Sequence, residues 1–303
     1  MAIENLKNCD MRTLARIISA VENDEPSAQT ILENLQPDLL IPVIGITGPP
    51  GAGKSTLINA LTSSILSKEK ELIKGRGIGI LAIDPSSPFT YGALLGDRLR
   101  MSSHFNHQKV FIRSLATRGS LGGLSAKTIE ITDLMRSAGF DFIFIETVGI
   151  GQSEVEIASL ADITVLVLVP ESGDEVQAMK AGVMETADVF VVNKSDRTGA
   201  DTMVQSIHSA ALISGKEKPE VVLTVAGTGK GVDKLLNILL AKANAIDHKK
   251  KADLLLEKAL QIIRQRMLSD EDILHLRAQL NNSNGNMNIY RIASDFIRSI
   301  RKN

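Results

Sequence analysis

A single cysteine, Cys9, stands among 303 residues, which excludes an internal disulfide framework and a cysteine-rich metal centre and fits a reducing compartment. Aromatic residues are scarce at 3 %, with no tryptophan, which argues against the base-stacking platforms of single-strand nucleic-acid binders. Neither sign of charge is in excess: 34 Lys and Arg against 35 Asp and Glu leave a net charge of −1. No global field draws the chain onto DNA, RNA or an anionic membrane, so any phosphate recognition must be local. The apolar runs fall far short of a membrane span. The opening residues, MAIENLKNCDMRTL, carry acids early and have no apolar core, so neither a secretory leader nor a transit peptide is expected. The expectation is a soluble cytoplasmic protein with no nucleic-acid or membrane partner.

The chain does have ordinary globular proportions, 44 % apolar and 23 % charged, and enough length for one large α/β domain with additions. Helical spacing of Leu14, Ile17, Ile18 and Val21, with a break at Pro26, predicts a short helical lead-in. From residue 41 short β-rich runs alternate with amphipathic stretches: IPVIGI (41–46), GIGILAID (77–84), KVFIRS (109–114), FDFIFIE (140–146), ITVLVLV (163–169), DVFVVN (188–193) and EVVLTV (220–225). Runs this continuously apolar, separated by helices, predict a doubly wound, mostly parallel sheet covered on both faces, with ligands at the strand ends. After a linker-like NNSNGN (281–286), Ile289, Ile292, Ala293, Phe296, Ile297 and Ile300 form one helical stripe that suits a partner or dimer face.

The sharpest motif is GPPGAGKST, residues 48–56, between the run at 41–46 and a helical LINALTSSIL. It satisfies G-x-x-x-x-G-K-[ST] in strand–loop–helix context, the signature of a phosphate-binding loop. Gly48, Gly51 and Gly53, with Pro49, Pro50 and Ala52 between them, let the backbone curl so that N–H groups face an anion. Lys54 sets a charge on the β/γ-phosphates, Ser55 offers its hydroxyl to Mg²⁺, and Thr56 continues into a helix whose positive end adds to the field.

A second motif, NKSD at 193–196, again ends an apolar strand. Asp196 can accept from two N–H groups of the guanine Watson–Crick edge, a pair that adenine lacks, while Asn193 and Lys194 brace loop and ring. The two motifs together indicate GTP rather than ATP. The small-residue loop Val225, Ala226, Gly227 could approach the guanine O6, or be a plain βα turn. Mg²⁺ needs hard oxygen ligands, and the candidate carboxylates are Asp84, Asp97 and Glu146. Each has a plain alternative: a turn before Pro85, a helix N-cap and a solvated strand end. Glu146 poses a question of its own, because it closes the apolar run IFIE, and a buried carboxylate needs a compensating partner. Gly149 stands where a backbone N–H could meet the γ-phosphate. His104 and His107 read better as polar loop residues than as a metal pair, and Arg113 and Arg118 as phosphate contacts or surface arginines.

GPPGAGKST, IDPSSPFTYGALLGDRLRM (83–101), FIRSLATRGSLGGLS (111–125), ETVGIGQSE (146–154) and NKSD together closely resemble the MeaB/ArgK group of P-loop GTPases, from about residue 12 to about 245. The resemblance implies a GTPase yielding GDP and phosphate that binds an adenosylcobalamin-dependent acyl-CoA mutase of the methylmalonyl-CoA mutase type, gates cofactor loading and protection, and forms a homodimer. It implies a helical extension over 1–37, a GTPase domain over 38–245 and a dimerisation arm over 246–303. It places the magnesium and switch carboxylates on Asp84, Asp97 and Glu146, and likens PESGDEVQAMKAG (170–182) to a coupling loop in which Asp174 and Lys180 have switch roles. Catalysis is then expected from Lys54, Asp97, Glu146 and Lys180, by in-line attack of water on the γ-phosphate. Three rivals are a nickel-type metallochaperone GTPase, disfavoured by one cysteine, a small-molecule kinase linked to amino-acid transport, in which NKSD has no role, and a non-catalytic nucleotide-dependent scaffold.

Overall fold

Seven apolar runs need seven places in a sheet, and each finds one. A computed structural model describes residues 6–84, 104, 106–116, 126–147, 153–171, 185–213, 219–245, 255–256 and 259–260. In chain order the elements are α1 (Met11–Glu22), α2 (Pro26–Glu33), β1 (Val43–Thr47), α3 (Lys54–Ser67), the short α4 (Glu69–Leu72), β2 (Ile78–Asp84), β3 (Val110–Ala116), α5 (Ala126–Ser137), β4 (Phe142–Glu146), α6 (Ser153–Leu160), β5 (Ile163–Leu168), β6 (Val189–Val192), α7 (Ala200–Ile213), β7 (Val221–Leu223) and α8 (Val232–Asn244).

The strands form one sheet in the order β3-β2-β4-β1-β5-β6-β7, and every adjacent pair is parallel. Parallel neighbours need crossovers, which the intervening helices supply. β1 is central, flanked by β4 and β5, and the register sets Ile46 against Glu146. The loop leaving β1 is therefore bordered by the ends of both neighbours, and the glutamate that closes β4 stands beside it.

Period-2 alternation distributes the core. Ile44, Ile46, Val165, Val167, Val189 and Val191 join one cluster with Leu57, Ile58, Leu61 and Ile65 of α3 and Leu235, Leu236 and Leu239 of α8. Leu166, Leu168, Phe190 and Val192 alternate with them into a second cluster with Met203 and Ile207 of α7. Each such side chain contributes about 1.5–3 kcal/mol on burial. Gly45 lets α6 approach closely: a Cβ there would lie 2.4 Å from Ile157 Cγ1.

The helical lead-in belongs to the same compact unit, residues 1–254, while residues 255–303 form a second. Asp10 caps α1 by accepting from the Thr13 N–H at 2.6 Å, and α1 packs on α5. Arg113 is a fastener for this helix: its Nη2 donates to Glu22 Oε2 at 2.5 Å and Ser19 Oγ at 3.1 Å, a role the phosphate reading of the sequence did not include. Arg76 secures the segment before α1 through the carbonyls of Leu6, Lys7 and Cys9, and also bonds Ala138. The stripe from Ile289 to Ile300 lies outside the described residues. Among the described residues no helix is long and apolar enough to cross a membrane.

At the amino end of β1, away from the loop, Asp162 accepts from the Val43 N–H at 2.8 Å and from the Arg136 guanidinium. Both ionic side chains are buried, and Arg136 Nε also reaches the Ile41 carbonyl. Removing one partner leaves the other charge buried. Asp162→Ala is therefore expected to lower unfolding free energy by about 3–5 kcal/mol, measured by denaturant titration.

Candidate functional site

The loop between β1 and α3 takes its shape from two glycines that no other residue could replace cheaply. Gly48 has φ near +140°, and a Cβ there would stand 2.1 Å from the Val167 carbonyl oxygen of β5. Gly53 is the left-handed residue that starts α3, with φ of 89°, and its Cβ would lie 2.4 Å from Asn193 Nδ2. No side chain caps α3, so its leading N–H groups and partial positive charge face the loop. The ammonium of Lys54 is buried inside the curl, donating to the carbonyls of Gly48 at 2.8 Å and Pro49 at 3.1 Å. Ala52 is buried and donates its N–H to Pro49, while Pro50, Gly51 and Thr56 lie on the exposed side.

Glu146 is not a solvated strand end. Its residue is 4 % exposed, and Oε1 accepts a 2.6 Å hydrogen bond from the Ser55 hydroxyl, itself buried. One carboxylate and one hydroxyl, both hard oxygen donors, thus meet beside the loop. Among the described residues no group of three or more His, Cys, Asp or Glu forms a metal cage. The sparse oxygen pair suits a cation that keeps most of its waters. Next to it, Thr147 Oγ1 and Thr47 Oγ1 are 2.9 Å apart, and both residues are buried.

The second motif is bound to the first. Asn193 is buried at the end of β6; its Nδ2 donates to the Ala52 carbonyl at 2.8 Å, and its Oδ1 accepts from Ala226 N–H at 3.0 Å and Thr224 Oγ1 at 3.1 Å. Lys194 takes a left-handed conformation, φ 55°, and its ammonium reaches the Gly51 carbonyl at 2.7 Å. Ser195 N–H donates to the Thr224 carbonyl, and Val225 N–H to that of Lys230, which closes the turn containing Gly227. Asp196, two residues past Lys194, is exposed. Arg197 pairs with Glu171 just after β5 at 2.6 Å, and that hydrogen bond holds the Glu171 carboxyl below the usual carboxylate range.

The fold therefore brings together Gly48 to Thr56, Ser55 with Glu146, Lys194 with Gly51, and Asn193 with both Ala52 and the 224–227 turn. Asp84 ends β2, and its side chain lies outside the description. Asp97, Gly149, Asp174, Lys180 and Arg118 also fall outside the described residues. The two histidines have separate engagements: His104 Nε2 bonds Ser63 Oγ at 3.0 Å, and His107 Nδ1 accepts from the Lys109 N–H. Burial lowers the His104 pKa. The Thr47–Thr147 pair was missed in the sequence. Its only signal was a threonine flanking each motif, before Gly48 and after Glu146.

Comparison with known proteins gives the family. Residues 14–280 match the family described as Methylmalonyl Co-A mutase-associated GTPase MeaB. A Pyrococcus horikoshii protein whose name places it among the GTPases is 50 % identical over 241 residues, 77 % of this chain and 74 % of its own. The GTPase ArgK of Escherichia coli is 34 % identical over 252 residues, 79 % of this chain and 74 % of its own. A solved structure titled LAO/AO transport system kinase superposes with a TM-score of 0.64 over 99 % of this chain and 95 % of its own, at 23 % identity, a likeness of fold. A phosphate loop bonded to a strand-end NKSD on an all-parallel seven-stranded sheet, with a family match over most of the chain, makes this protein a member of the MeaB family of P-loop GTPases.

Proposed function

We propose that this chain binds GTP with Mg²⁺, hydrolyses it to GDP and phosphate, and uses that cycle as a cytoplasmic chaperone that gates cofactor loading and protection of an adenosylcobalamin-dependent acyl-CoA mutase. The observation that carries the nucleotide reading is the junction at Asn193 and Lys194, which fixes the NKSD loop to the carbonyls of Ala52 and Gly51. Phosphate and base recognition then share one rigid frame, and Asp196 supplies the acceptors that distinguish guanine from adenine. The mutase reading rests on the family description.

Lys54 would leave the Gly48 and Pro49 carbonyls for the β/γ-phosphate oxygens, where its charge offsets what develops in the transition state. Ser55 and Glu146 fit Mg²⁺ as hard oxygen donors, with Asp84 and Asp97 proposed to complete the set. The metal would supply charge neutralisation on the phosphates. Glu146 would hold the metal's water shell or the attacking water, Gly149 would meet the γ-phosphate, and Lys180 would act from the 170–182 segment. Val225, Ala226 and Gly227 would cover the base. The same reading divides the chain into an extension over 1–37, a GTPase domain over 38–245 and a dimerisation arm over 246–303.

Three outcomes are expected. The protein binds and slowly hydrolyses GTP in preference to ATP, as measured by nucleotide titration and phosphate release; equal use of ATP would remove the role given to Asp196. Asp196→Asn weakens GTP by about 2–3 kcal/mol, about 30- to 150-fold, and improves xanthosine triphosphate, whose C2 carbonyl accepts from the new amide. A pull-down with a non-hydrolysable GTP analogue retains a cobalamin-dependent acyl-CoA mutase, and Lys54→Ala loses both nucleotide and nucleotide-dependent capture; capture of no mutase in any nucleotide state would refute the chaperone reading.

A further inference from the structure

Three non-covalent links and three chain segments close a ring around the candidate catalytic groups. Glu146 Oε1 accepts from Ser55 Oγ at 2.6 Å; Lys54, the residue before Ser55, donates to the Gly48 carbonyl at 2.8 Å; and Thr47, the residue before Gly48, bonds Thr147, the residue after Glu146, at 2.9 Å. Two of these links are made by groups that face the nucleotide and its metal in the GTPase reading. Lys54 turns to phosphate and Ser55 to the metal, so both links are redirected when ligand binds. The threonine link is made by neither.

The choice of residue type also needs a reason. Thr47 is completely buried and Thr147 nearly so, at positions where valine would fill the same space without the desolvation cost of a hydroxyl. What the hydroxyls add is direction. The Thr147 N–H donates to the Ile46 carbonyl at 3.1 Å, extending the ladder past the register partners Ile46 and Glu146, and the side-chain bond clamps the two strands just beyond it.

We propose that Thr47 and Thr147 are a positioning pair that keeps Glu146, and the chain leaving β4, in register with the phosphate loop when nucleotide and metal have broken the other two links. This rests on the GTPase reading above. The pair touches no substrate; it acts through Glu146.

The test uses the full chain with both threonines changed together. Thr47→Val alone or Thr147→Val alone strands one buried hydroxyl and could simply destabilise the fold, whereas replacing both with valine removes donor and acceptor at constant shape. The double valine variant is expected to melt within about 3 °C of the parent. Its kcat for GTP should fall about tenfold or more with KM within about twofold, because a sub-ångström loss of position costs turnover rather than binding. A readout without turnover is the Mg²⁺ concentration that half-saturates the metal-dependent part of fluorescent GDP binding, which should rise several-fold. Thr47→Ser with Thr147→Ser, which keeps the hydroxyls, should restore both. A double valine variant with parental kcat and parental Mg²⁺ requirement overturns the proposal. If the parent itself does not hydrolyse GTP, the GTPase reading fails instead, and the Mg²⁺ requirement of GDP binding still judges the pair.

Discussion

One carboxamide joins three loops that lie far apart in the chain. Asn193 uses its amide on the phosphate loop and both lone pairs of its oxygen on the turn after β7, so three of its four hydrogen-bonding positions are committed to backbone or buried side-chain partners. Each bond contributes about 0.5–1.5 kcal/mol net, but leaving any of these buried groups unpaired costs more, so the arrangement holds as a unit. The phosphate loop, the NKSD loop and the turn after β7 are all referred to this point. Lys194 extends the same connection to Gly51, and Ser195 ties the motif to the Thr224 carbonyl.

The sheet order makes that junction possible and also explains the buried glutamate. With β1 between β4 and β5, the first loop emerges between two other strand ends, so Glu146 meets Ser55 on one side while the Val167 carbonyl crowds Gly48 on the other. The Ser55 hydroxyl offsets part of the cost of burying that carboxylate. The two ends of β1 have different tasks. At one end a fully buried ion pair, Arg136 with Asp162, fixes where the strand begins. At the other, the loop must curl, hold a lysine and present N–H groups.

Much of this was legible in the residues. All seven strands were visible as apolar runs, because a parallel sheet covered on both faces leaves little room for polar letters. The glycine-rich loop and NKSD were legible as motifs because each sets particular residue types at fixed spacing at the end of an apolar strand. What the sequence did not disclose were pairings across the fold. Arg113 read equally as a phosphate contact or a surface arginine because its charge carries no address, yet it binds α1 through Glu22 and Ser19. Thr47 and Thr147 were invisible because a threonine at a strand end is ordinary β chemistry until a second one is found 2.9 Å away. Nothing in their own stretches marks Arg136 and Asp162 as a pair, and they meet only where the fold sets the start of β1.

The 2.4 Å separation between a Cβ at position 53 and the Asn193 amide has a consequence for how variation in this protein should be interpreted. The motif assigns Gly53 to the phosphate loop alone, as a residue that lets backbone approach an anion. Here its missing side chain is also the space that Asn193 of the NKSD motif occupies. Any side chain at 53 would strain a left-handed backbone and also push the Asn193 amide away from the Ala52 carbonyl. A lesion at this glycine would therefore disturb the junction between two loops and not the conformation of one alone.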